Sequence, residues 1–408
     1  MKINLDKNKK YLLACSFGPD SMALFTMLLI NNFNFEVAHV NYHMREESDH
    51  EACLLNAFCL QKDIIIHKHD AYYPHAKGNF QAWARNVRYD FFRSVVEEKK
   101  LDFVLTGHQQ DDVIETYMMQ KTSKREAEFF GIKDDITLNG LRVMRPLLAY
   151  TKQELIDFCK KNNTPFAIDK SNLESKYTRN YFRNKVLNAM TDRQRSEILS
   201  EIDLHNNVEQ KLSNYVSSLI DKRFYVKRND YQKLNEPARK RLLFIMLTKL
   251  NAAQYFTKGV FTQIDQTICS DKQTALFKLN GNINFSLAYE LFTLIDISLY
   301  APYTFNIERG REKFRSRFID FDLSGNLEKY KINRESFPLT IRTFTKDDYY
   351  TIKYYRKKVS RLFIDMKLPK HLRHIWPLII DKNGKIIYIP RYRQDYEKLE
   401  NNKLNILL

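Results

Sequence analysis

Short apolar runs alternate with helical patterns over the first 120 residues. Runs of strand length occur at 11–15, 35–41, 63–67 and 102–107, and helical patterns lie at 21–31, 48–60, 79–100 and 111–121. Strands separated by helices form right-handed βαβ units, so the pattern predicts an α/β domain built on a parallel sheet. Because ligands bind beyond the carboxyl ends of such strands, we expect functional loops after residues 15, 41, 67 and 107.

Helix capping signals and later pattern changes divide the rest of the chain. Ser48-x-x-Glu51 and Thr151-x-x-Glu154 are predicted capping boxes, and 123–140 reads as irregular. From about 190 the segments are mainly helical, with a hairpin predicted at Asn280-Gly281, and from about 335 they are strand-rich. We therefore expect a nucleotide-binding α/β domain at 1–200, a mainly helical middle domain at 201–332 and a small α+β domain at 333–408.

Composition narrows the class of protein. The 408 residues carry a net charge of +17, with 44% hydrophobic and 13% aromatic residues, which is too apolar for a disordered polycation. No signal-peptide core and no apolar stretch of about 20 residues is present, so we expect a cytoplasmic protein without membrane insertion. The five Cys form no Cys-x-x-Cys pair and are interpreted as buried small side chains. The surplus charge favours a nucleic acid partner, with an acidic membrane surface as the alternative.

The surplus is concentrated near the C-terminus. Between Arg342 and Arg373, ten Lys or Arg stand against three Asp, with tyrosines interleaved. This mixture is typical of phosphate contacts and base stacking, although a solvated surface around a tyrosine core is the alternative for any single residue. The candidate nucleic-acid-binding residues are Arg356, Lys357, Lys358, Arg361, Lys367, Lys370 and Arg373, and a second basic segment lies at 309–317.

The loop after the first predicted strand reads Ser16-Phe17-Gly18-Pro19-Asp20-Ser21 and leads into a helix. Backbone N–H groups at such a helix start bind anions, and Ser16, Gly18 and Ser21 suit a phosphate. Asp20 would repel phosphates unless a cation such as Mg²⁺ lies between them, so Asp20 is the candidate metal ligand. The loop lacks the Lys of the Gly-x-x-x-x-Gly-Lys type. A tight strand-to-helix turn with incidental polar residues is the alternative.

Further polar segments follow the other predicted strands. They include His39-Val-Asn-Tyr-His43-Met44-Arg-Glu-Glu-Ser48, Gln81-Ala-Trp-Ala-Arg85-Asn-Val-Arg88-Tyr89, Thr106-Gly107-His108-Gln-Gln-Asp111-Asp112-Val-Ile-Glu115-Thr116, Arg145-Pro-Leu-Leu148, Asp169-Lys-Ser-Asn172 and Arg179-Asn-Tyr-Phe-Arg183-Asn184. Asp111, Asp112 and Glu115 place carboxylates on one helix turn, which suits a cationic ligand. Taken singly, the histidines are as readily structural, the arginines a solvated face, and the aspartates charges that complement the helix dipole.

The loop resembles that of the PP-loop ATP pyrophosphatases, which reads Ser-Gly-Gly-x-Asp-Ser, with Phe17 in place of a Gly. Within that superfamily the other segments, in the same order, resemble the His-Gly-Leu-Arg, Ala-x-x-x-Arg-x-x-Arg-Tyr and His-x-x-Asp-Asp-x-x-Glu-Thr signatures of the tRNA(Ile)-lysidine synthetases. The sequence departs from the family at Met44, where Leu is usual, and at Asn184, where His is common. The resemblance implies an adenine nucleotide alpha hydrolase-like fold for the N-terminal domain.

The resemblance also implies an ATP-dependent ligase of tRNA modification. Such an enzyme adenylates C2 of the wobble cytidine in an isoleucine tRNA with a CAU anticodon, and free lysine then displaces AMP to give lysidine. The implied cofactors are ATP and Mg²⁺. The implied catalytic residues are Asp20, Arg85, Asp111 and Asp112; ATP would contact Ser16, Phe17, Gly18, Pro19, Asp20, Ser21, His43 and Arg179; and lysine or cytidine would contact His108, Asp111, Glu115 and Arg183.

Three other functions compete with this interpretation. A tRNA thiolase of the same fold would need Cys residues or an iron–sulfur cluster, which the missing Cys-x-x-Cys pair disfavours. A small-molecule amidating enzyme, such as an NAD or GMP synthetase, needs no basic appended domain. A non-enzymatic RNA-binding protein has no use for the Asp- and Ser-bearing loop. The sequence leaves the oligomeric state open, with a homodimer as one alternative, and indicates no other protein partner.

Overall fold

The computed structural model describes residues 1–44, 46–74, 79–123, 126–138, 140–167, 187–309, 313–315, 319–322, 334–352, 354–390, 392 and 404–406. The chain divides into two compact units, Met1–Glu209 and Gln210–Leu408. Buried apolar side chains form separate clusters in each unit. The predicted three-domain division, with limits at 200 and 332, stays a prediction.

The first unit alternates strands with helices. Its helices are α1 (Pro19–Ile30), α2 (Glu47–Gln61), α3 (Phe80–Lys99), α4 (Gln110–Ser123), α5 (Lys152–Lys161) and the start of α6 (Asp192–Ser217). Its strands are β1 (Lys10–Ala14), β2 (Asn34–Asn41), β3 (Ile66–Asp70), β4 (Phe103–Thr106), β5 (Asp135–Leu138) and β6 (Leu141–Met144). Every predicted strand and helix up to residue 162 therefore has a counterpart in the structure.

The six strands form one sheet with the order β3-β2-β1-β4-β6-β5. Neighbouring strands are parallel from β3 to β6, and only β5 runs antiparallel, beside β6. The chain moves outward from β1 to β2 and β3, and then returns to place β4 on the other side of β1. This change of direction makes the β1–β4 edge a topological switch point, where ligands of open α/β sheets bind.

Apolar residues on both faces of the sheet explain the continuous hydrophobic runs in its strands. Tyr11 and Leu13 belong to a buried cluster with α1 and α5, whereas Leu12 belongs to a second cluster that includes Phe92 and Val95 of α3. Successive strand side chains point to opposite faces, so β1 is covered by helices on both sides. This burial holds the carboxyl ends of the central strands in place.

The element boundaries differ from the sequence predictions at three points. Helix α2 begins at Glu47 with Glu46 as its N-cap, so Ser48 lies inside the first turn and the capping box predicted there is wrong. Strand β3 pairs over 66–70 rather than 63–67, because Asp63 has a left-handed backbone and the pairing continues through polar residues at the sheet edge. The stretch predicted as irregular contains β5. The Thr151 capping box is confirmed.

The second unit begins with helices and continues as antiparallel sheets. Its helices are the end of α6, α7 (Arg228–Gln232), α8 (Glu236–Lys249), α9 (Lys258–Cys269), α10 (Val359–Asp365) and α11 (Lys370–Arg373). Its strands are β7 (Val226–Lys227), β8 (Thr274–Asn280), β9 (Ile283–Ala288), β10 (Leu291–Asp296), β11 (Thr304–Ile307), β12 (Lys313–Arg315), β13 (Ile319–Asp322), β14 (Leu339–Thr343), β15 (Tyr349–Ile352), β16 (Tyr355–Lys358), β17 (Pro377–Ile380), β18 (Ile386–Tyr388) and β19 (Leu404–Ile406).

Two apolar clusters organise the second unit. The first joins α8 and α9 to the sheet β7-β10-β9-β8, and the second surrounds Trp376 beside the sheet β11-β14-β17-β18. The hairpin predicted at Asn280-Gly281 is confirmed, since β8 and β9 pair across it and Gly281 has a φ of 53°. None of the described helices is long and apolar enough to cross a membrane.

Candidate functional site

A cavity of about 340 Å³ opens at the carboxyl ends of β1 and β4 in the first unit. Its walls come from the loop before α1, the end of β2, one face of α3 and the loop before α4. The lining residues are Ala14, Cys15, Ser16, Gly18, Asp20, Ser21, Ala38, Val40, Tyr42, Arg85, Arg88, Tyr89, Phe92, Thr106, Gly107, His108 and Asp112. The cavity therefore lies at the switch point that the strand order defines.

The loop between β1 and α1 is held by hydrogen bonds to its own atoms. Ser21 Oγ donates to Gly18 O at 3.0 Å, and Ser16 N donates to Ser21 Oγ at 3.3 Å. Pro19 occupies the first turn of α1, where its missing N–H costs nothing. The helix N-terminus, Ser16 and Ser21 thus border the cavity, and free N–H groups at a helix start are able to bind an anion.

Phe17 shows how this loop departs from a glycine-rich one. Its φ is 63°, which is the left-handed conformation that glycine adopts most easily. Its side chain is 2% exposed and packs in the core beneath α1 rather than lining the cavity. Its carbonyl also accepts a hydrogen bond from Ala167 N at 3.0 Å. The phenyl ring therefore leaves the phosphate side of the loop clear.

The end of β4 forms the opposite wall. Thr106 Oγ1 and His108 Nδ1 are 2.8 Å apart, which orients the imidazole at the cavity. Gly107 packs so closely against the loop that an added Cβ would lie 3.0 Å from Ser21 N and 3.1 Å from the carbonyl carbon of Asp20. Only a glycine fits there without moving the loop, so Gly107 fixes the distance between the two walls.

Helix α3 contributes the cationic wall. Arg85 and Arg88 are exposed and line the cavity, and the Arg85 guanidinium lies 4.8 Å from the centroid of the Tyr89 ring. Residues 85, 88 and 89 lie on one helix face, because positions three and four apart are neighbours. Two positive charges therefore face the anion site across the cavity.

The three acidic residues of α4 have different environments. Asp112 lines the cavity, and its Oδ2 accepts a hydrogen bond from Gln109 N at 3.0 Å. Asp111 forms an ion pair with Arg195 of α6, and Glu115 is completely buried. Neither Asp111 nor Glu115 lines the cavity. Of the acidic cluster predicted from the sequence, Asp112 is thus the member that faces the ligand space.

Another predicted ligand residue lies away from the cavity. His43 is not a lining residue; its Nε2 lies 3.1 Å from Asp70, its Nδ1 lies 2.7 Å from Asp49, and its ring stacks on Tyr72 at 4.6 Å. Arg179 and Arg183 lie outside the described residues. The structure therefore brings together Ser16, Gly18, Asp20, Ser21, Arg85, His108 and Asp112.

Several lining residues were not singled out from the sequence. Arg88, Tyr89, Thr106 and Gly107 stood inside the quoted motifs, and the spacing from Arg85 to Arg88 and Tyr89 was a usable signal for a shared helix face. Tyr42 follows β2, and no spacing in the sequence indicated that it would line the cavity. Arg195 could not be found either, because its partner Asp111 is 84 positions away in the sequence.

Cys15 also lines the cavity, but its thiol is poorly suited to nucleophilic chemistry. Burial raises the pKa of Cys15, and a thiol needs a lowered pKa to react as the thiolate at neutral pH. All five cysteines are free, and among the described residues no three His, Cys, Asp or Glu side chains form a metal-binding cluster. Cys15 is therefore a poor candidate for the nucleophile of a sulfur-transfer reaction.

The second unit carries a basic hairpin surface, defined here as Tyr349, Tyr354, Tyr355, Arg356 and Lys358 of β15, β16 and their turn. All five side chains are exposed, and Arg356 and Lys358 lie 5.1 Å and 5.8 Å from the Tyr349 ring. Cations beside exposed aromatic rings are typical of single-stranded nucleic acid binding.

The other candidate nucleic-acid-binding residues differ in how exposed their side chains are. Arg361, Lys367 and Lys370 are exposed. Lys357 is half-buried and pairs with Asp365. Arg373 is half-buried and donates from Nε to Leu368 O at 2.9 Å. The second basic segment lies largely outside the described residues.

Comparisons with known proteins agree with this geometry. Residues 2–190 match the family model of the PP-loop domain, which defines the class of the first unit. Over 400 residues the chain is 26% identical to the tRNA(Ile)-lysidine synthase of Mycoplasma mycoides, covering 94% of this chain and 97% of the relative. It is 28% identical to the tRNA(Ile)-lysidine synthase of Mesoplasma florum, over 90% of this chain and 94% of the relative. It is 35% identical to that of Ureaplasma parvum, over 52% of this chain and 65% of the relative. The chain is thus similar, over most of its length, to proteins named tRNA(Ile)-lysidine synthase.

Proposed function

We propose that this protein is an ATP-dependent ligase that joins free L-lysine to C2 of the wobble cytidine in an isoleucine tRNA with a CAU anticodon. The observation that carries the proposal is the cavity at the switch point, where a phosphate-binding loop, two arginines and the Asp112 carboxylate face one another. These groups suit one nucleotide and one cationic substrate in the same space.

The first step is adenylation. The C2 oxygen of the cytidine attacks the α-phosphorus of ATP, and the bond to pyrophosphate breaks. Ser16 and the first N–H groups of α1 hold phosphate oxygens, and the Ser21 hydroxyl shapes the loop through Gly18 O. Arg85 and Arg88 stabilise the negative charge that develops on the leaving group. Arg179, predicted from the sequence to contact ATP, would add to this stabilisation.

The second step is transfer to lysine. The ε-amine attacks C2, the bond to AMP breaks, and the incoming nitrogen loses a proton. To Asp112, which lines the cavity, we assign the binding of the ammonium and the uptake of the proton that it must lose before the amine can attack. His108, oriented by Thr106, would position the cytidine or the lysine carboxylate. The sequence predictions that Glu115 binds lysine and that Arg183 contacts a substrate stay predictions. The lysine-binding role predicted for Asp111 competes with its ion pair to Arg195.

The donor set fits Mg²⁺. Asp20 and Asp112 supply carboxylates to the cavity beside the hydroxyls of Ser16 and Ser21. Mg²⁺ characteristically binds through one or two carboxylates together with substrate phosphates. Asp20 is the proposed ligand, and the ion would neutralise phosphate charge.

The basic hairpin surface and its neighbours are the proposed tRNA-holding residues. Phosphate contacts supply most of the affinity for nucleic acids, and exposed tyrosines add stacking on unpaired bases. We further propose that the protein acts in the cytoplasm, where its tRNA and lysine substrates are found.

Two of the competing functions lose support at the site. The raised pKa of Cys15 argues against a thiolase that would use this cysteine. The cavity with its phosphate loop argues against a non-enzymatic RNA-binding protein. A small-molecule amidating enzyme would leave the basic hairpin surface without a purpose.

The proposal is tested by incubating the protein with total tRNA, ATP and radiolabelled lysine. We expect label in the tRNA and release of pyrophosphate. Asp20→Ala should abolish both, because the nucleotide can no longer be bound productively. Normal incorporation by Asp20→Ala would show that the site is assigned wrongly, and pyrophosphate release without lysine uptake by the unaltered protein would point to another PP-loop reaction.

A further inference from the structure

Helix α4 begins with two adjacent aspartates that serve different partners. Asp112 faces the cavity, whereas Asp111 forms an ion pair with Nη1 of Arg195, in the first turn of α6. The side chains of Asp111 and Arg195 are only 13% and 16% exposed. A pair so far removed from water is strongly disturbed when either partner is removed, because the remaining charge is left uncompensated.

The same guanidinium makes a second contact. Nη2 of Arg195 donates to the carbonyl oxygen of Leu187 at 2.9 Å. Leu187 is 1% exposed and is the first described residue after 168–186, the segment that contains the predicted substrate ligands Arg179 and Arg183. One planar side chain therefore joins the start of α4, residue 187 and the start of α6.

We propose that Arg195 is a positioning residue for lysine transfer, acting through a clamp formed by Asp111, Arg195 and Leu187. The inference rests on the proposed function and deepens it. The clamp fixes the first turn of α4, which presents Asp112 to the cavity, and it fixes the point where the segment with Arg179 and Arg183 ends. The rigid fork of a guanidinium suits this task, since its N–H groups are held at fixed angles.

The clamp changes the role expected for Asp111. The sequence prediction gives its carboxylate to the lysine substrate, but in the structure a lysine ammonium would have to displace Arg195 to reach it. The two roles predict opposite results when Arg195 is replaced. If Asp111 binds lysine, removing Arg195 frees the carboxylate and lowers the KM for lysine. If Asp111 is the clamp partner, removing Arg195 lowers kcat.

The test is a double-mutant cycle on the full-length protein with ATP, tRNA and labelled lysine. The variants are Asp111→Asn, Arg195→Gln and the pair together. Each single change should lower kcat about tenfold or more, because small displacements of catalytic groups reduce rates strongly. The double variant should be no slower than the slower single variant, since both remove the same contact. The KM for lysine should change less than about threefold, as uniform substrate binding is retained.

Arg193→Gln is the matched control. Arg193 lies two residues away in α6, its side chain is 88% exposed, and it pairs with Glu197 of the same helix. Its replacement should leave kcat and KM at the unaltered values. Arg195→Lys is the second test variant; it retains the charge for Asp111 but lacks the planar fork, so its kcat should be intermediate.

Three results would overturn the clamp. In the first, the KM for lysine rises with Asp111→Asn and falls with Arg195→Gln. In the second, the kcat losses of the single variants multiply in the double variant, and in the third, Arg195→Lys is fully active. The last result decides the matter even if Arg195→Gln does not fold. If the unaltered protein transfers no lysine at all, the proposed function fails instead, so the two failures are distinguishable.

Discussion

Phe17 occupies a backbone conformation that glycine normally fills, and its burial explains how it does so. The left-handed conformation costs a non-glycine residue about 1–2 kcal/mol. Burying a phenyl side chain returns about 1.5–3 kcal/mol, and Phe17 is 2% exposed. The two terms are of similar size, so the loop can keep its shape without the glycine. Phe17 in place of the usual Gly is thus compatible with the conformation of this loop.

Gly107→Ala should weaken ATP binding about tenfold. The new Cβ would lie 3.0 Å from Ser21 N, and the nearby atoms are backbone that cannot move without shifting the phosphate loop. A shift of a few tenths of an ångström misaligns donors that need distances near 2.9 Å. Calorimetric titration with ATP measures the effect.

Gly259→Ala is the control for that substitution. The nearest atom to its added Cβ is Thr257 Oγ1 at 3.9 Å, and Gly259 lies in the second unit. The Gly259→Ala variant should bind ATP with the affinity of the unaltered protein. Equal affinities for Gly107→Ala and the unaltered protein would mean that the close approach of the two walls is unimportant.

Individual site residues could be predicted where the chemistry is local. Ser16, Asp20 and Ser21 follow from one short motif, since loop and helix start are contiguous. The different environments of Asp111 and Asp112 could not be predicted, because the Arg195 partner comes from a distant segment. Sequence spacing places carboxylates on a helix turn, but only packing decides which one meets the ligand.

At the scale of elements, the buried His371 connects helix α11 to the sheet β7-β10-β9-β8 of the second unit. His371 is 1% exposed; its Nδ1 lies 2.7 Å from Ser286 Oγ in β9, and its Nε2 lies 3.0 Å from Tyr225 OH, just before β7. The Tyr300 ring packs edge-on against the imidazole. The histidine thus ties the C-terminal part of the second unit to the sheet of its middle part.

The stability of this connection should depend on pH. Burial lowers the pKa of His371 to about 4, whereas an unfolded histidine titrates near 6.5. The unfolded state therefore binds more protons between those values, so the free energy of unfolding falls as the pH is lowered through this window. From pH 7 to pH 5 the loss from this residue should be about 2 kcal/mol.

The pH effect can be measured by urea unfolding followed through Trp376, which is buried in the same part of the unit. The chain has two tryptophans, so Trp83→Phe leaves Trp376 as the only one. His371→Gln in that background should lose less stability on acidification. Equal losses with and without the histidine would contradict the assignment.

Elements with regular patterns were predictable, and those at edges were not. The runs in β1, β2 and β4 mark strands buried on both faces. Strand β3 lies at the edge of the sheet, where a strand can pair with its neighbour through polar residues such as His67, Lys68 and His69. The apolar residues that suggested this strand therefore come before most of the residues that form it. Strand β5 escaped prediction for the same reason, since its side chains alternate between exposed and half-buried positions.

For the whole molecule, the charge of +17 is unevenly distributed along the chain. The cavity combines Arg85 and Arg88 with Asp20 and Asp112, whereas the basic hairpin surface has exposed cations beside tyrosines. The sequence shows where basic and acidic residues are concentrated, because charge density is a property of short segments. It could not give the boundary between the two compact units at 209, which lies inside the continuous helix α6.

Replacing Arg356 and Lys358 by Ala should weaken tRNA binding and its salt dependence. Each lost phosphate contact reduces the slope of log K against log salt by about 0.7–0.9, so the double variant should lower the slope by about 1.5. ATP affinity should be unchanged, because the cavity belongs to the first unit. Filter binding at several salt concentrations measures the slope.

Lys62 and Lys99 provide a control with the same change of charge. Both are exposed and lie just before β3 and β4, at the amino edge of the sheet and away from the cavity. Their double replacement by Ala should leave the slope nearly unchanged. Equal slope changes for the two double variants would mean that tRNA affinity follows bulk charge rather than the hairpin.

The central claim is tested most directly by the products formed on a single tRNA. An isoleucine tRNA transcript with a CAU anticodon is incubated with the protein, ATP and lysine, and its nuclease fragments are weighed by mass spectrometry. We predict one lysine on the wobble cytidine, with one AMP and one pyrophosphate formed for each lysine transferred. Consumption of ATP without added mass at that cytidine would contradict the account.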